Sequence, residues 1–401
     1  MKHVLVLSTL YPNPANPRFG TFVARSMESL ATCGAWRVTL INPIGAPPLG
    51  LGALSPRYRT LHDAPERSVE GGVTLYRPRF TLIPKVGARR NAGAIAKAAL
   101  PVARAIHARD PVDLVDAQFF FPDGPAAAAI AEDLGRPLTI KARGSDITYW
   151  GGVEPAREQM QDAASQAAGL LAVSEALAGE MVAVLGASRE RIRVHYTGLD
   201  RDRFRPLGHT QLRAQLGSEL GFELPSDAPL LACVGALIPR KGHDIAIEAL
   251  ARLSEEHPQA RLLLVGKGDE EKPLRALAKA KGVADRVHLT GAIDHDLLPI
   301  ILSAADAMVL PTANEGLANA WVEALACGTP LVTCDVGGAR ELITSDIAGR
   351  LVDRNAVAVA QGIREVLENP ADSQEVADLA EAFDWTTHAA RLAEYYEGLL
   401  A

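Results

Sequence analysis

VLPTANEGLANAWVEALACGTPLVTCDVGG, residues 309–338, passes from an apolar strand through a polar loop into a helix, then out to a second apolar strand. That order is one βα unit of a parallel sheet. Residues 308–310 close the first strand, the helix opens near Gly316 and reaches about Ala326, and Gly328 and Pro330 stop it. Glu315 and Glu323 stand eight positions apart, which is ~12 Å along a helix rising ~1.5 Å per residue. Paired hydrolytic carboxylates lie only ~5–9.5 Å apart, so a glycosidase-type acid/base pair is excluded. Eight steps of ~100° bring the second Glu to within ~80° of the first, so both can look into one cleft. Two readings stay open on these residues alone. One is a surface Glu followed by a helix-face Glu; the other is a long ligand with a sugar hydroxyl on Glu315 and a ribose on Glu323. On the second, the backbone N–H groups of Gly316, Leu317 and Ala318, with Asn319 behind them, line the ligand at the helix start.

Upstream, LLACVGALIPRKGHDIAIEAL, residues 230–250, has a related plan. An apolar strand ends at Gly235, a short loop carries Arg240, Lys241 and Gly242, and a helix follows with Ile245, Ala249 and Leu253 at four-residue spacing. Two cations at a strand end, beside the positive end of a helix, suit a diphosphate, which Lys meets as a point charge and Arg as a fork. A solvated basic turn is the alternative.

The same alternation of short apolar runs and helical patterns extends over all 401 residues. Strands are expected at 3–8, 37–41, 73–76, 114–117, 138–141, 169–173 and 192–195, and again at 230–234, 261–265, 287–290, 307–310 and 330–333. The fold class is therefore α/β, with two doubly wound sheets in tandem and a ligand cleft between them. The expected division is 1–199 together with 385–401 for the first domain, and 200–384 for the second. Residues 42–72, rich in Pro and Gly, read as a long loop. The last helix is amphipathic, with Ala390, Leu392, Ala393, Tyr396 and Leu399 on one face.

Composition narrows the function classes. Apolar residues make up 48% and charged residues 22%, a globular mixture. The four cysteines have no metal-ligand spacing; most sit in apolar runs and read as reduced core thiols. No run reaches the ~18 apolar residues of a membrane-spanning helix. Net charge is −7, yet residues 1–205 carry 25 Lys and Arg against 19 Asp and Glu, while the remainder carries 16 against 29. Nucleic acid is not an expected partner, because the basic half has no Lys/Arg clusters interleaved with aromatics. Its Arg77, Arg79, Lys85, Arg89 and Arg90 read either as a solvated face or as a peripheral contact with an anionic membrane.

Taken together, the two segments resemble the retaining family 4 glycosyltransferases of the GT-B fold. The resemblance rests on Glu315 and Glu323 within EGLANAWVEALACGTPLV, on Lys241–Gly242, and on GGARELI at 337–343. It extends to YTGLDRDRFRP at 196–206, the terminal WTTHAARLAEYYEGLL, and LSTLYPNPANPRFGTFVARSMESLA near the start, which is similar to enzymes of bacterial surface polysaccharides. The resemblance implies two Rossmann-like domains facing across a cleft, with the C-terminal helix crossing back to the first. It also implies a cytoplasmic, metal-independent hexosyltransferase without a cofactor. Such an enzyme moves a sugar, with retention, from a UDP- or GDP-sugar to a glycan or lipid-linked acceptor. Lys241 and Arg240 would stabilise the leaving diphosphate, Glu315 would place the sugar and Glu323 the ribose. Gly20 and Gly235 would approach the phosphates, and the base would meet the backbone up to Ile293.

The departures are specific. The family's phosphate-binding Arg falls on Ala236, where the run reads Gly235–Ala236–Leu237, so Arg240 is the expected substitute. The family's His-Gly-x-Asp appears as Arg143–Gly144–Ser145–Asp146, and Gln118 stands where relatives often carry His. Arg143, which cannot act as a neutral acceptor, and Asp146 are then sugar or acceptor contacts, or else a structural pair. The DxD triplets at 200–202 and 294–296 read as turn carboxylates, and no zinc spacing is present. LSTLYPNP lacks GxGxxG, which argues against a dehydrogenase. A nucleotide-sugar epimerase on the same plan and a non-catalytic nucleotide-sugar-binding protein remain as alternatives.

Overall fold

The computed structural model describes residues 1–46, 61, 64–82, 87–222 and 224–401. These form two compact units, Met1–Gly198 with Trp385–Ala401, and Leu199–Asp384.

In the first unit the strands are β1 (Lys2–Leu7), β2 (Trp36–Ile41), β3 (Ile44–Ala46), β4 (Arg67–Glu70), β5 (Val73–Tyr76), β6 (Arg79–Thr81), β7 (Leu114–Ala117), β8 (Leu138–Ala142), β9 (Gly169–Ala172) and β10 (Ile192–Val194). Eight of them build one sheet in the order β10-β9-β8-β7-β1-β2-β5-β4. Every pairing is parallel except β4 with β5. The period-2 alternation of each strand divides its side chains between two cores. Leu5, Leu7, Val115 and Ile140 enter one, while Val4, Val6, Leu114 and Leu171 enter the other. Into the second core comes the terminal helix Trp385–Leu400, with His388, Ala389, Leu392, Ala393 and Tyr396 buried. The expected stripe thus shifts: Ala390 is exposed and Ala389 is inside, because the polar His388 belongs to the buried face. Tyr396 meets Trp36 edge-on at 5.4 Å.

The second unit holds β11 (Leu230–Val234), β12 (Arg261–Val265), β13 (Val287–Gly291), β14 (Ala307–Leu310), β15 (Leu331–Cys334) and β16 (Gly349–Val352). They run β13-β12-β11-β14-β15-β16, all parallel. Counted within the unit this is the 3-2-1-4-5-6 order of the Rossmann fold, whose crevice opens beyond the C-terminal ends of the two strands where the order reverses. Here those are β11 and β14, whose following loops carry Lys241 and Glu315.

Three expectations change. Residues 42–72 are not all loop: β3 and β4 lie within them, and 47–60 with 62–63 fall outside the described residues. The helix after β14 starts at Asn319, not near Gly316, so helical periodicity does not relate Glu315 to Glu323. Arg77 is buried and bonded to Glu70 and Ser68, 2.8 and 2.9 Å away, which removes it from any membrane-facing set; Lys85 lies outside the described residues. No helix among the described residues is long and apolar enough to cross a membrane.

Candidate active site

The loop after β11 turns through Pro239–Lys241 and enters the helix His243–Arg252 across Gly242. Gly242 sits at φ 74°, and a Cβ there would stand 2.3 Å from the carbonyl oxygen of Pro311. Only glycine permits that backbone conformation at such close approach. The β11 and β14 loops are therefore pressed together, and Ala313 N–H donates to the Arg240 carbonyl at 2.7 Å.

Across this seam three donors converge on one oxygen of Glu315. Lys241 Nζ bonds Oε1, Arg240 donates to it at 2.9 Å, and Thr312 Oγ1 donates at 3.1 Å. Glu315 and Lys241 are nearly buried, at 10% and 12% exposure, whereas Arg240 is 47% exposed. Oε2 of Glu315 accepts no hydrogen bond from the described residues, which leaves it open to a ligand hydroxyl. Arg240 also donates to the Asn314 carbonyl at 2.6 Å, so its guanidinium is committed to the Glu315 loop. The stem of Lys241 crosses Gly235, 3.5 Å from where a Cβ would stand.

The double glycine at 337–338 supports the same loop from below. Gly337 has φ 52°, and a Cβ on it would lie 1.8 Å from the Glu315 carbonyl oxygen. Gly338 N–H donates to the Gly316 carbonyl at 2.7 Å. This backing meets a segment that is not yet helical: Gly316 and Leu317 form a bend, and Ala318 is the extended N-cap of the helix Asn319–Ala326. Glu323 rides on that helix, half-buried. Burial pushes its carboxyl up to about 7, with Arg203 pulling it back. No described residue donates a hydrogen bond to it. Ile293 lies past the end of the outer strand β13, which β12 and β11 separate from β14. The DxD triplets are turns: Asp200 accepts from Arg203 N–H at 3.2 Å, Asp294 from Asp296 N–H at 3.0 Å. Among the described residues no cluster of His, Cys, Asp and Glu could hold a metal ion.

The remaining expected positions sit in the first unit, near the end of β1, β7 and β8. Gly20 caps the helix Thr21–Thr32 at φ 70°, with a virtual Cβ 2.4 Å from the Leu10 carbonyl carbon, so its own loop requires glycine. Asp146 is fully buried, and its carboxylate accepts from the backbone N–H of Phe120, Arg143 and Gly144 at 2.7–3.0 Å. It ties the loops after β7 and β8 together. Arg143 bonds the side chain and carbonyl of Gln118 and stacks on Phe22 at 4.9 Å. Burial lowers its guanidinium to about 10, so it stays charged at neutral pH. Gln118 in turn donates to Asp116 at 2.5 Å, and the buried Asp123 is pushed up to about 7 by burial. Beneath them Lys141, with no exposed surface, bonds His195 at 2.8 Å, and His388 of the terminal helix bonds Ser26 at 2.7 Å. Neither Thr312 nor the roles of Gly337 and Arg203 were legible beforehand, although GGARELI marked the place of the first glycine.

Two Rossmann-type sheets, with cations and a carboxylate gathered at the switch point of the second, define the GT-B class of glycosyltransferases. Residues 221–383 match the family description "Glycosyl transferases group 1" and residues 54–203 match "Glycosyltransferase Family 4". The chain belongs to glycosyltransferase family 4. It is similar to a putative teichuronic acid biosynthesis glycosyltransferase, TuaC, of Bacillus subtilis, 28% identical over 94% of this chain and 92% of that one. It is also 35% identical to a GDP-mannose-dependent phosphatidylinositol monomannoside mannosyltransferase of Mycolicibacterium smegmatis, over 50% of this chain. That match spans only 55% of the mannosyltransferase. Among solved structures, the sucrose-phosphate synthase of Thermosynechococcus elongatus superposes with a TM-score of 0.77 at 21% identity, covering 100% of this chain and 99% of the other.

Proposed function

We propose that this glycosyltransferase moves a hexose from a UDP- or GDP-sugar, with retention and without a metal or cofactor, onto a glycan or lipid-linked acceptor. The setting would be surface polysaccharide or glycolipid synthesis at the cytoplasmic side of the membrane. One observation carries the donor assignment: Lys241, Arg240 and Thr312 meet on a single oxygen of Glu315 at the Rossmann switch point. A departing diphosphate needs cations already in place, because fixed charges cost no reorganisation when the bond breaks. Lys241 supplies one at rest, and Glu315 keeps its second oxygen for a hydroxyl of the transferred sugar. Glu323, half-buried and without a protein donor, is suited to the ribose hydroxyls. The acceptor class follows the relatives, one named for teichuronic acid synthesis and one acting on a phosphatidylinositol mannoside.

The test is a panel of UDP- and GDP-hexoses incubated with the enzyme and a cell-envelope lipid and glycan extract, with product linkage read by NMR. Nucleotide release with an α-linked product from an α-linked donor supports the reading. Inversion, or conversion of the donor to its epimer without any acceptor, contradicts it.

A further inference from the structure

Arg354 follows β16 and belongs to none of the motifs above. Its Nε donates to the carbonyl of Pro311 at 3.0 Å, and an Nη of the same guanidinium donates to the carbonyl of Pro239 at 3.2 Å. Pro239 opens the turn that carries Arg240 and Lys241. Pro311 is the first residue beyond β14, in the loop that leads to Glu315. A single planar group thus reaches both halves of the site from a third loop. The other ties at this seam, from Ala313, Thr312 and the Gly242 contact, run directly between the two loops. They set the distance of closest approach. Arg354 adds a tie from outside both loops, on the same Pro311 carbonyl that Gly242 faces and on the carbonyl that opens the Lys241 turn.

From this bridging we infer that Arg354 is a positioning residue, holding the Lys241 turn and the Glu315 loop in the register that lets their charges meet. The fork geometry matters, since two N–H groups of fixed direction address two carbonyls at once, and an ammonium on a flexible stem does not. The inference rests on the reading of Lys241 and Glu315 as donor-site residues only for its catalytic consequence; the clasp itself is testable without any substrate.

The experiment is timed acetylation of the full chain with acetic anhydride, read residue by residue by mass spectrometry. The variants are Arg354→Gln and Arg354→Lys. Lys279 is exposed and serves as the reference amine, and the buried Cys233 and Cys327 report folding of the unit through thiol protection. Lys241 is nearly buried and ion-paired, so it labels slowly in the wild type. In Arg354→Gln its rate is expected to rise about tenfold, a size set by the loss of charge-assisted hydrogen bonds, with Lys279 and the thiols unchanged. Should Arg354→Gln expose the thiols, Arg354→Lys decides: faster Lys241 labelling with protected thiols upholds the clasp. Unchanged Lys241 labelling in a folded variant overturns it. Calorimetry with UDP and with GDP, each alone, forms the second arm, where a tenfold weaker affinity is expected in Arg354→Gln. If labelling rises and the wild type binds neither nucleotide, the donor reading fails while the clasp stands.

Discussion

Glu315 uses its two oxygens differently. Oε1 is held by Lys241, Arg240 and Thr312, and Oε2 is left for a ligand. Glu315→Gln keeps the size but weakens the hold on both cations. Transfer is expected to fall by ~10²–10³, the range for losing one preorganised electrostatic contact, with a lower urea midpoint because the nearly buried Lys241 keeps its charge without its partner. Gly337→Ala acts on the same residue from behind. A methyl group 1.8 Å from the Glu315 carbonyl has to displace that segment, so activity should drop by a similar factor while nucleotide affinity changes less. Glu323 gives a pH signature. Its carboxyl, raised to about 7 by burial, accepts ribose hydroxyls fully only when ionised. Affinity for UDP or GDP, measured by calorimetry, should therefore rise more between pH 6 and pH 8 in the wild type than in Glu323→Gln. Equal slopes would remove Glu323 from the ribose site.

At the scale of elements, the parallel strands were legible because each is a short apolar run between turn residues. β3, β4, β6 and β16 were not, since all are short and β4 and β6 keep exposed positions. The helix start was misplaced for a different reason. A polar loop ending in Glu-Gly looks like a helix N-terminus, but Gly337 and Gly338, about twenty positions downstream, press on the Glu315 and Gly316 carbonyls, and the chain there bends instead of coiling. Thr312 and Arg354 escaped because they bond to main-chain carbonyls across distances of 72, 43 and 115 residues, a pairing without any residue-type signature. Asp146 was read as a sugar or acceptor contact or as part of a structural pair. Its carboxylate satisfies three backbone N–H groups of the loops after β7 and β8. Asp146→Ala leaves them buried without a partner, at ~1–3 kcal/mol for each unsatisfied group. The first unit should then unfold at clearly lower urea, an effect that Asp146→Asn, which keeps one acceptor oxygen, relieves in part.

Over the whole chain, the terminal helix was expected to return to the first domain, and it packs there against β-strand residues and Trp36. What the pattern did not reveal is the polar layer beneath it. His195 and His388, with ring centres 4.1 Å apart and planes tilted, are both held well below the usual histidine range, chiefly by burial and then by nearby Lys141; Arg143 and, for His388, Arg391 add to this. The folded first unit thus binds fewer protons than the unfolded chain below ~6.5, the ordinary histidine value, and its stability falls as pH drops through that value. Asp123 works in the opposite direction, because a carboxyl raised to about 7 loses its contribution as pH rises from ~4 to 7. The histidine share is isolated by comparing the wild type with His388→Asn. Between pH 7 and pH 5, hydrogen exchange in β8 and the terminal helix should accelerate more in the wild type than in the variant. Identical acceleration would place the acid sensitivity elsewhere.

Release of UDP or GDP from a panel of nucleotide sugars, in the presence of envelope extract, is measured for the wild type and for Lys241→Ala. The expected result is turnover of at least one donor by the wild type and a rate at least ~10²-fold lower in a folded Lys241→Ala protein, the cost of removing a cation from a developing phosphate charge. Equal rates in the two proteins would contradict the assignment of the Lys241–Glu315 seam as the place where the sugar leaves its nucleotide.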